Sequence, residues 1–259
     1  MTRKLSILLV FLLTAMAPAL GADVTGVVVM HGLQGMPGNI VTIRFEKALR
    51  SAGYQVETPQ MCWSQYRLYD ETFIDCQRDI DTAVDKLRTA GARRIIIAGM
   101  SQGGNAAFGY ALTHPALAGI IALAPAADAA KAPRDPEVQQ SVALAAQMVA
   151  NGHGADKAQF NSRNATVFSV YTSAIIFFSF TDPNGPAAFS RHLSQVKVPV
   201  LWVAGDADRS QATADTDFAT LPPNKLNRLI HVSSNHLGTP DAAIDPTLTW
   251  LSQVLGKTQ

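Results

Sequence analysis

Ile95-Ile96-Ile97-Ala98-Gly99-Met100-Ser101-Gln102-Gly103-Gly104 is the stretch on which the fold turns. Ile95 to Ala98 is a continuous apolar run rich in β-branched residues, the mark of a strand buried on both faces. The residues from Asn105 to Leu112 read as a helix. Between strand and helix stands Gly99-Met100-Ser101-Gln102-Gly103, a Gly-x-Ser-x-Gly sequence. A serine there sits on a tight turn with its Oγ held up at the sheet edge. Glycine two residues before and two residues after removes side chains that would collide with the neighbouring strand and helix. The turn also aims backbone N–H groups and a helix N-terminus at the serine. The five residues alone are a weak signal, because small residues are common. Their strand-turn-helix setting makes the signal strong.

Working outward, strands and helices alternate. Val27 to Met30 reads as a buried strand, followed by a loop through His31, Gly32, Gly35, Pro37 and Gly38. Asn39 stands where an N-cap belongs, ahead of a helix over about Ile40 to Ala52. Tyr54 to Thr58 is the next expected strand, and Phe73 to Leu87 carries apolar residues at helical spacing. Ile120 to Ala124 reads as another buried strand. The alternation resumes late, with strands at Val198 to Ala204 and Leu229 to Val232 and a last helix over about Ala242 to Leu255. Such a pattern implies an α/β fold, a doubly wound and mostly parallel sheet with helices on both faces. The stretch at about 126–194 breaks the pattern and reads as a helical, lid-like insertion. Within it, Val138 to Ala150 is an Ala-rich helix and Val167 to Phe180 is expected to be a buried helix. Ile175, Ile176, Phe177 and Phe178 are candidates to line an acyl pocket.

On the Ser101 turn and this order of elements, the chain resembles the α/β-hydrolase superfamily, as an exported, bacterial-type serine hydrolase. The resemblance spans most of the chain after its first residues. It implies a nucleophilic serine followed in the chain by an acid and then a histidine. Ser101 is then the nucleophile. The acid is Asp208 in Gly205-Asp206-Ala207-Asp208, after the strand that ends at Ala204, with Asp206 as its rival. The base is His236, in the loop after Leu229 to Val232. Its task is to take the Ser101 proton while Asp208 fixes its tautomer. The oxyanion donors are the backbone N–H of Gln102 and that of Leu33 in His31-Gly32-Leu33-Gln34-Gly35, with Gln34 as an alternative. His31 is expected to hold loop shape rather than move protons. His231 falls inside an expected strand, His114 before Pro115 reads as a helix end, and His153 and His192 have no partners at metal-ligand spacing. No metal or organic cofactor is implied. The expected activity is cleavage of an ester-type acyl bond in a small molecule. Acyl transfer, thioester or amide cleavage, cofactor-free peroxidation and a non-catalytic binding protein on the same fold are the alternatives.

Composition frames this reading. The 259 residues are 47% hydrophobic and 16% charged, enough to bury a large core in one domain. A formal net charge of +1 gives no reason to expect nucleic acid as a partner. Arg3 and Lys4, the apolar run Leu5 to Ala15 and the small residues around Ala19-Leu20-Gly21 form a signal peptide pattern over 1–21. That leaves a hydrolase domain over 22–259, exported to the periplasm or secreted. The apolar run is shorter than the roughly 20 residues of a membrane span, so no stable membrane insertion is expected. Cys62 and Cys76 are the only cysteines. In an oxidising compartment two thiols tend to pair, so a disulfide is expected.

Overall fold

The computed structural model describes residues 24–256, and the expected signal peptide lies outside the described residues. Six strands form one parallel sheet: β1 Thr25–Met30, β2 Gln55–Glu57, β3 Arg94–Met100, β4 Gly119–Leu123, β7 Val200–Gly205 and β8 Arg228–Val232. Their spatial order is β2-β1-β3-β4-β7-β8. Each adjacent pair is parallel, with Val28 opposite Ile97, Ile97 opposite Ile120 and Ile121 opposite Leu201. The expected parallel α/β sheet is therefore present.

Strand alternation divides the core in two. Val27, Val29, Ile96, Ala98, Ile121, Leu123, Leu201 and Val203 face one side. There they pack on Phe45 and Leu49 of α1 (Ile43–Ser51) and on Trp250 and Leu251 of α8 (Ile244–Val254). Val28, Met30, Ile97, Ile120, Ala122, Val200 and Trp202 face the other side. They meet Ile80, Val84 and Leu87 of α2 (Gln77–Thr89) and Ala107, Phe108 and Ala111 of α3 (Gln102–Thr113). Burial on both faces is what the uninterrupted apolar runs of β1, β3, β4 and β7 require.

Several boundaries differ from the sequence expectation. Helix α1 begins at Ile43, because the Asn39 side chain caps a turn instead, accepting from the N–H of Val41 (2.9 Å) and of Thr42 (3.2 Å). Ile40 is left 88% exposed. Helix α2 begins at Gln77, and residues 73–76 form a turn tied down by the Cys62–Cys76 disulfide, whose Cα atoms are 5.7 Å apart. The final helix is broken into α7 (Thr239–Ala242) and α8, and a short helix α6 (Ala214–Phe218) lies between β7 and β8.

The stretch between β4 and β7 is not all helical. It holds α4 (Pro136–Ala150), an antiparallel hairpin of β5 (Lys157–Arg163) and β6 (Val167–Ser173), and the short helix α5 (Ala174–Ser179). The expected single helix over Val167 to Phe180 is thus a strand followed by one and a half turns of helix. Phe168, Val170 and Thr172 alternate with the exposed Ser169 and Tyr171, a period of two that suits a half-buried strand. Ala145, Phe160, Ala174 and Phe177 make a small separate core for this region. Phe160 and Phe177 stack with ring centroids 4.6 Å apart.

Candidate active site

Four loops that follow strands β1, β3, β7 and β8 meet at the carboxyl edge of the sheet, where open parallel sheets place their ligands. The β3 loop carries Ser101. Its backbone adopts φ 57° and ψ −116°, a positive φ that costs energy for any residue but glycine. Neighbouring backbone holds it there. Ser101 N–H donates to Leu123 O at 2.9 Å, and Ser101 O accepts from the N–H of Asn105 at 3.1 Å and of Ala126 at 3.2 Å. The flanking glycines have the packing role expected of them. A Cβ on Gly99 would run into the backbone of Gly103, and one on Gly103 would stand 2.7 Å from Met30 O.

The loop after β8 brings His236 over this serine. Ser101 Oγ lies 3.0 Å from His236 Nε2, and His236 Nδ1 lies 2.6 Å from Asp208 Oδ2. With a proton on Nδ1, the imidazole donates to Asp208 and accepts from Ser101. The Asp208 side chain is only 5% exposed, while that of His236 is 30% exposed. The second Asp208 oxygen, Oδ1, accepts from Ser210 N–H at 2.9 Å and from Ser210 Oγ at 2.7 Å. Both oxygens of the buried carboxylate are therefore engaged, which fixes its aim at His236. Asp206 goes elsewhere: its Oδ1 accepts from Ser234 N–H at 3.1 Å and ties the β7 and β8 loops together. Of the two rivals, Asp208 is the one that the fold brings to His236.

The two residues expected to supply the oxyanion donors line the same cavity. Gln102 is the first residue of α3, so its N–H is among those that a helix start leaves without an intrahelical partner. Leu33 lies in a tight turn closed by Gly35 N–H donating to Gly32 O at 3.0 Å. A Cβ on Gly32 would stand 3.2 Å from Ser101 Cβ, so the turn sits directly against the serine. Gln34 N–H is already committed to Trp63 O at 2.9 Å, which separates it from Leu33.

His31 is 2% exposed and braces this turn. Its Nδ1 lies 2.8 Å from Gly32 O and its Nε2 accepts from Met61 N–H at 3.2 Å. That pattern needs the neutral ring with its proton on Nδ1. Burial pushes the His31 pKa below its ordinary value, against a smaller opposing pull from Gly32 O. Sequence reasoning missed the residues that hold this loop. Trp63 Nε1–H donates to His31 O at 3.0 Å, Gln65 N–H donates to Gly35 O at 3.1 Å, and Asn164 Nδ2–H donates to Leu33 O at 2.9 Å. No local pattern marks them, because they act from distant segments.

A cavity of about 330 Å³ opens beside Gln102 and Leu33. Tyr69, Val138 and Phe180 give it apolar walls, with Asp128, Lys131 and Arg134 among its polar ones. None of Ile175, Ile176, Phe177 and Phe178 lines it: Ile175 is 41% exposed, Ile176 packs on the main core, Phe177 is buried in the core of the hairpin region, and Phe178 faces a different cavity. Phe180 takes the place expected of them. Burial pushes the Tyr69 pKa up to about 12, so its hydroxyl stays protonated at neutral pH. Among the described residues, no group of three or more His, Cys, Asp or Glu side chains could hold a metal ion. No helix there is long and apolar enough to cross a membrane.

The family model described as serine aminopeptidase, S33 (Hydrolase_4), matches residues 26–174. The chain belongs to that family of α/β-hydrolases. The match takes in Leu33, Ser101 and Gln102 and ends before Asp208 and His236. Solved structures share the fold at low identity. One described as that of metagenome-derived lipolytic enzymes is 21% identical with a TM-score of 0.63, covering 92% of this chain and 95% of its own. A monoacylglycerol lipase of Paleococcus ferrophilus is 20% identical with a TM-score of 0.63, covering 90% of this chain and 95% of its own. Est1E of Butyrivibrio proteoclasticus is 13% identical with a TM-score of 0.64, covering 91% of this chain and 90% of its own. No curated protein matches the chain. This family member is accordingly a serine hydrolase.

Proposed function

We propose that this serine hydrolase cleaves carboxylic ester-type acyl bonds through a Ser101–His236–Asp208 triad and an acyl-enzyme intermediate. The observation that carries the reading is the unbroken chain of contacts from Ser101 Oγ to His236 Nε2 (3.0 Å) and from His236 Nδ1 to Asp208 Oδ2 (2.6 Å). Ser101 Oγ attacks the acyl carbon as its proton passes to His236 Nε2. The carbonyl π pair moves onto oxygen, where the N–H groups of Leu33 and Gln102 meet the developing charge. Collapse of the tetrahedral species breaks the bond to the leaving alkoxide, which takes the proton from His236. Water then repeats the sequence and frees the acid. Asp208 stays ionised throughout and steadies the imidazolium.

The lipolytic enzymes and the monoacylglycerol lipase among the similar structures favour an ester over a peptide. The apolar walls of Tyr69, Val138 and Phe180 suit an acyl group in a small substrate. Transfer of the acyl group to an acceptor other than water uses the same residues. The region at 126–194 is read as a lid on a single domain over 22–259, since it walls one side of the cavity. The leader pattern over 1–21 and the Cys62–Cys76 disulfide support export to the periplasm or the medium.

Turnover of p-nitrophenyl acetate by substituted proteins tests the triad. Ser101→Ala is expected to lower kcat by at least about 10⁴-fold and to abolish labelling by a fluorophosphonate, with an unchanged circular dichroism spectrum. Asp208→Asn is expected to lose about 10³–10⁴-fold and Asp206→Asn less than about tenfold. Equal turnover by Ser101→Ala and the parent protein would overturn the assignment. Failure of the parent protein to take the fluorophosphonate at all would favour a non-catalytic binding protein.

A further inference from the structure

The tip of the β5–β6 hairpin touches the turn that carries Leu33. Arg163 pairs with Val167, so the hairpin loop is Asn164, Ala165 and Thr166, closed by Asn164 N–H donating to Thr166 O at 3.0 Å. From this tip the Asn164 side chain crosses to the other region. Its Nδ2 group donates to Leu33 O at 2.9 Å and to Gln34 Oε1 at 3.2 Å.

The geometry of the turn gives this contact its significance. The peptide unit between Leu33 and Gln34 is planar. Its carbonyl is held by Asn164 on one side and its N–H by Trp63 O, at 2.9 Å, on the other. Gln34 has φ 58°, a left-handed backbone that a non-glycine residue keeps only when its surroundings over-determine it. The Leu33 N–H belongs to the adjoining plane, whose Gly32 O is held by Gly35 N–H at 3.0 Å and lies 2.8 Å from His31 Nδ1. The two planes meet at the Leu33 Cα, so with both anchored little rotation about Leu33 remains to swing its N–H aside. Without Asn164, the Leu33–Gln34 plane keeps only its Trp63 side, and its carbonyl loses the side-chain donor that faces it.

We propose that Asn164 is a positioning residue for catalysis: it holds the Leu33 N–H on the transition-state oxygen and so couples the hairpin between β4 and β7 to the rate of acyl transfer. This rests on the reading of Leu33 as an oxyanion donor. Asn164 touches no reacting atom. An N–H that binds the oxygen only as charge develops acts on kcat rather than on substrate binding. Small displacements of such a donor are costly, since aim rather than presence sets its strength.

The test uses the full chain with p-nitrophenyl acetate. Asn164→Asp keeps the shape but replaces both donor hydrogens with a second acceptor facing Leu33 O and Gln34 Oε1. Asn164→Ala removes the group. Both are expected to lower kcat by about tenfold with KM within about twofold, while the melting temperature stays within a few degrees. Thr166→Ala, at the other end of the same loop, is expected to keep kcat within about twofold. Parent-like kcat in Asn164→Asp overturns the proposal. So does a change confined to KM, which would make the contact one for substrate binding, and so does an equal loss in Thr166→Ala, which would make the effect one of general tip disorder. Ser101→Ala in the same assay separates failure of the clamp from failure of the triad. If that protein is inactive and Asn164→Asp is not impaired, the clamp alone fails. If Ser101→Ala remains active, the hydrolase reading beneath it fails.

Discussion

Two turns lie against each other at the carboxyl edge of the sheet, and both carry a non-glycine residue at nearly the same unfavourable angle. Ser101 has φ 57° and Gln34 has φ 58°. What holds them differs. The Ser101 turn is fixed from within a short piece of chain and the strands beside it. Gly99 packs on Gly103, Gly103 packs on Met30 O, and Ser101 N–H binds Leu123 O. The Gln34 turn is fixed from outside. Trp63, Gln65 and Met61 hold it from one side and Asn164 from the other. Strain stored in the first turn depends on the sheet itself, so it persists as long as the protein is folded. Strain in the second depends on segments that can be loosened one at a time.

The same substitution in both turns is the hardest test of that difference. In Gly99→Ala the new methyl group would collide with the backbone of Gly103, which no side-chain rotation relieves. In Gly35→Ala it would stand 2.9 Å from Gly32 O and 2.9 Å from His31 Cβ, within a turn whose supports can shift. Gly99→Ala is expected to lose about 3 kcal/mol or more and to accumulate poorly as folded protein. Gly35→Ala is expected to lose about 1–2 kcal/mol and to show its damage mainly in kcat. Urea denaturation and p-nitrophenyl acetate turnover read both quantities. A folded and fully active Gly99→Ala protein would show that the Ser101 turn is as adjustable as its neighbour.

The difference also explains what the sequence made legible. The Ser101 turn could be read because all its determinants lie within a dozen residues: three isoleucines, three glycines and a helix start. The parallel sheet followed from apolar runs, for the same local reason. The second turn was half legible. His31-Gly32 at the end of β1 pointed to Leu33, but Trp63 and Asn164 lie about 30 and 130 residues from it, and no pattern in one sequence brings them together. The hairpin carrying Asn164 was missed for a different reason. Its apolar residues were read as one helix with Ala174–Ser179, although Phe168, Val170 and Thr172 already alternate with polar or exposed neighbours. The sequence pointed to Asp208 through its place after the strand, but Asp206 lies in the same turn and stayed its rival. In the structure, hydrogen bonding separates them.

The disulfide supports the second turn and not the first. Cys62 lies between Met61 and Trp63, both of which bond to His31. Bridging Cys76, 14 residues further on, fixes that segment where the turn needs it. Replacing both cysteines with alanine is expected to cost about 3 kcal/mol in the chain-entropy account. At this chain length that is a fall of about 6–12 °C in melting temperature. It is also expected to lower kcat several-fold more than it changes KM, because the support for Leu33 loosens while Ser101, His236 and Asp208 stay on the sheet. Loss of stability with an unchanged kcat would show that the 61–65 segment holds the turn without its covalent anchor.

The smallest effect is the most specific to the second turn, and it concerns protons. Burial lowers the His31 pKa from its ordinary 6.5, so the unfolded chain takes up a proton at this site more readily than the folded one. Stability from the neutral ring is therefore complete above about pH 6.5 and falls as pH drops below it, by at most about 1.4 kcal/mol per pH unit until the folded pKa is reached. The cause is visible in the bonds. A proton on Nε2 would face the N–H of Met61, which now donates to that nitrogen at 3.2 Å. His31→Gln keeps an acceptor for Met61 without the titration. The substituted protein is expected to be less stable at pH 7.5, since the Nδ1 contact with Gly32 O at 2.8 Å is lost, yet to decline less on going to pH 5.5. Urea midpoints at the two pH values measure this as a difference of differences, so carboxylates common to both proteins cancel. Parallel declines would mean that His31 accepts its proton at no cost to the fold, and the externally braced turn would then lose the neutral acceptor on which its His31–Met61 contact rests.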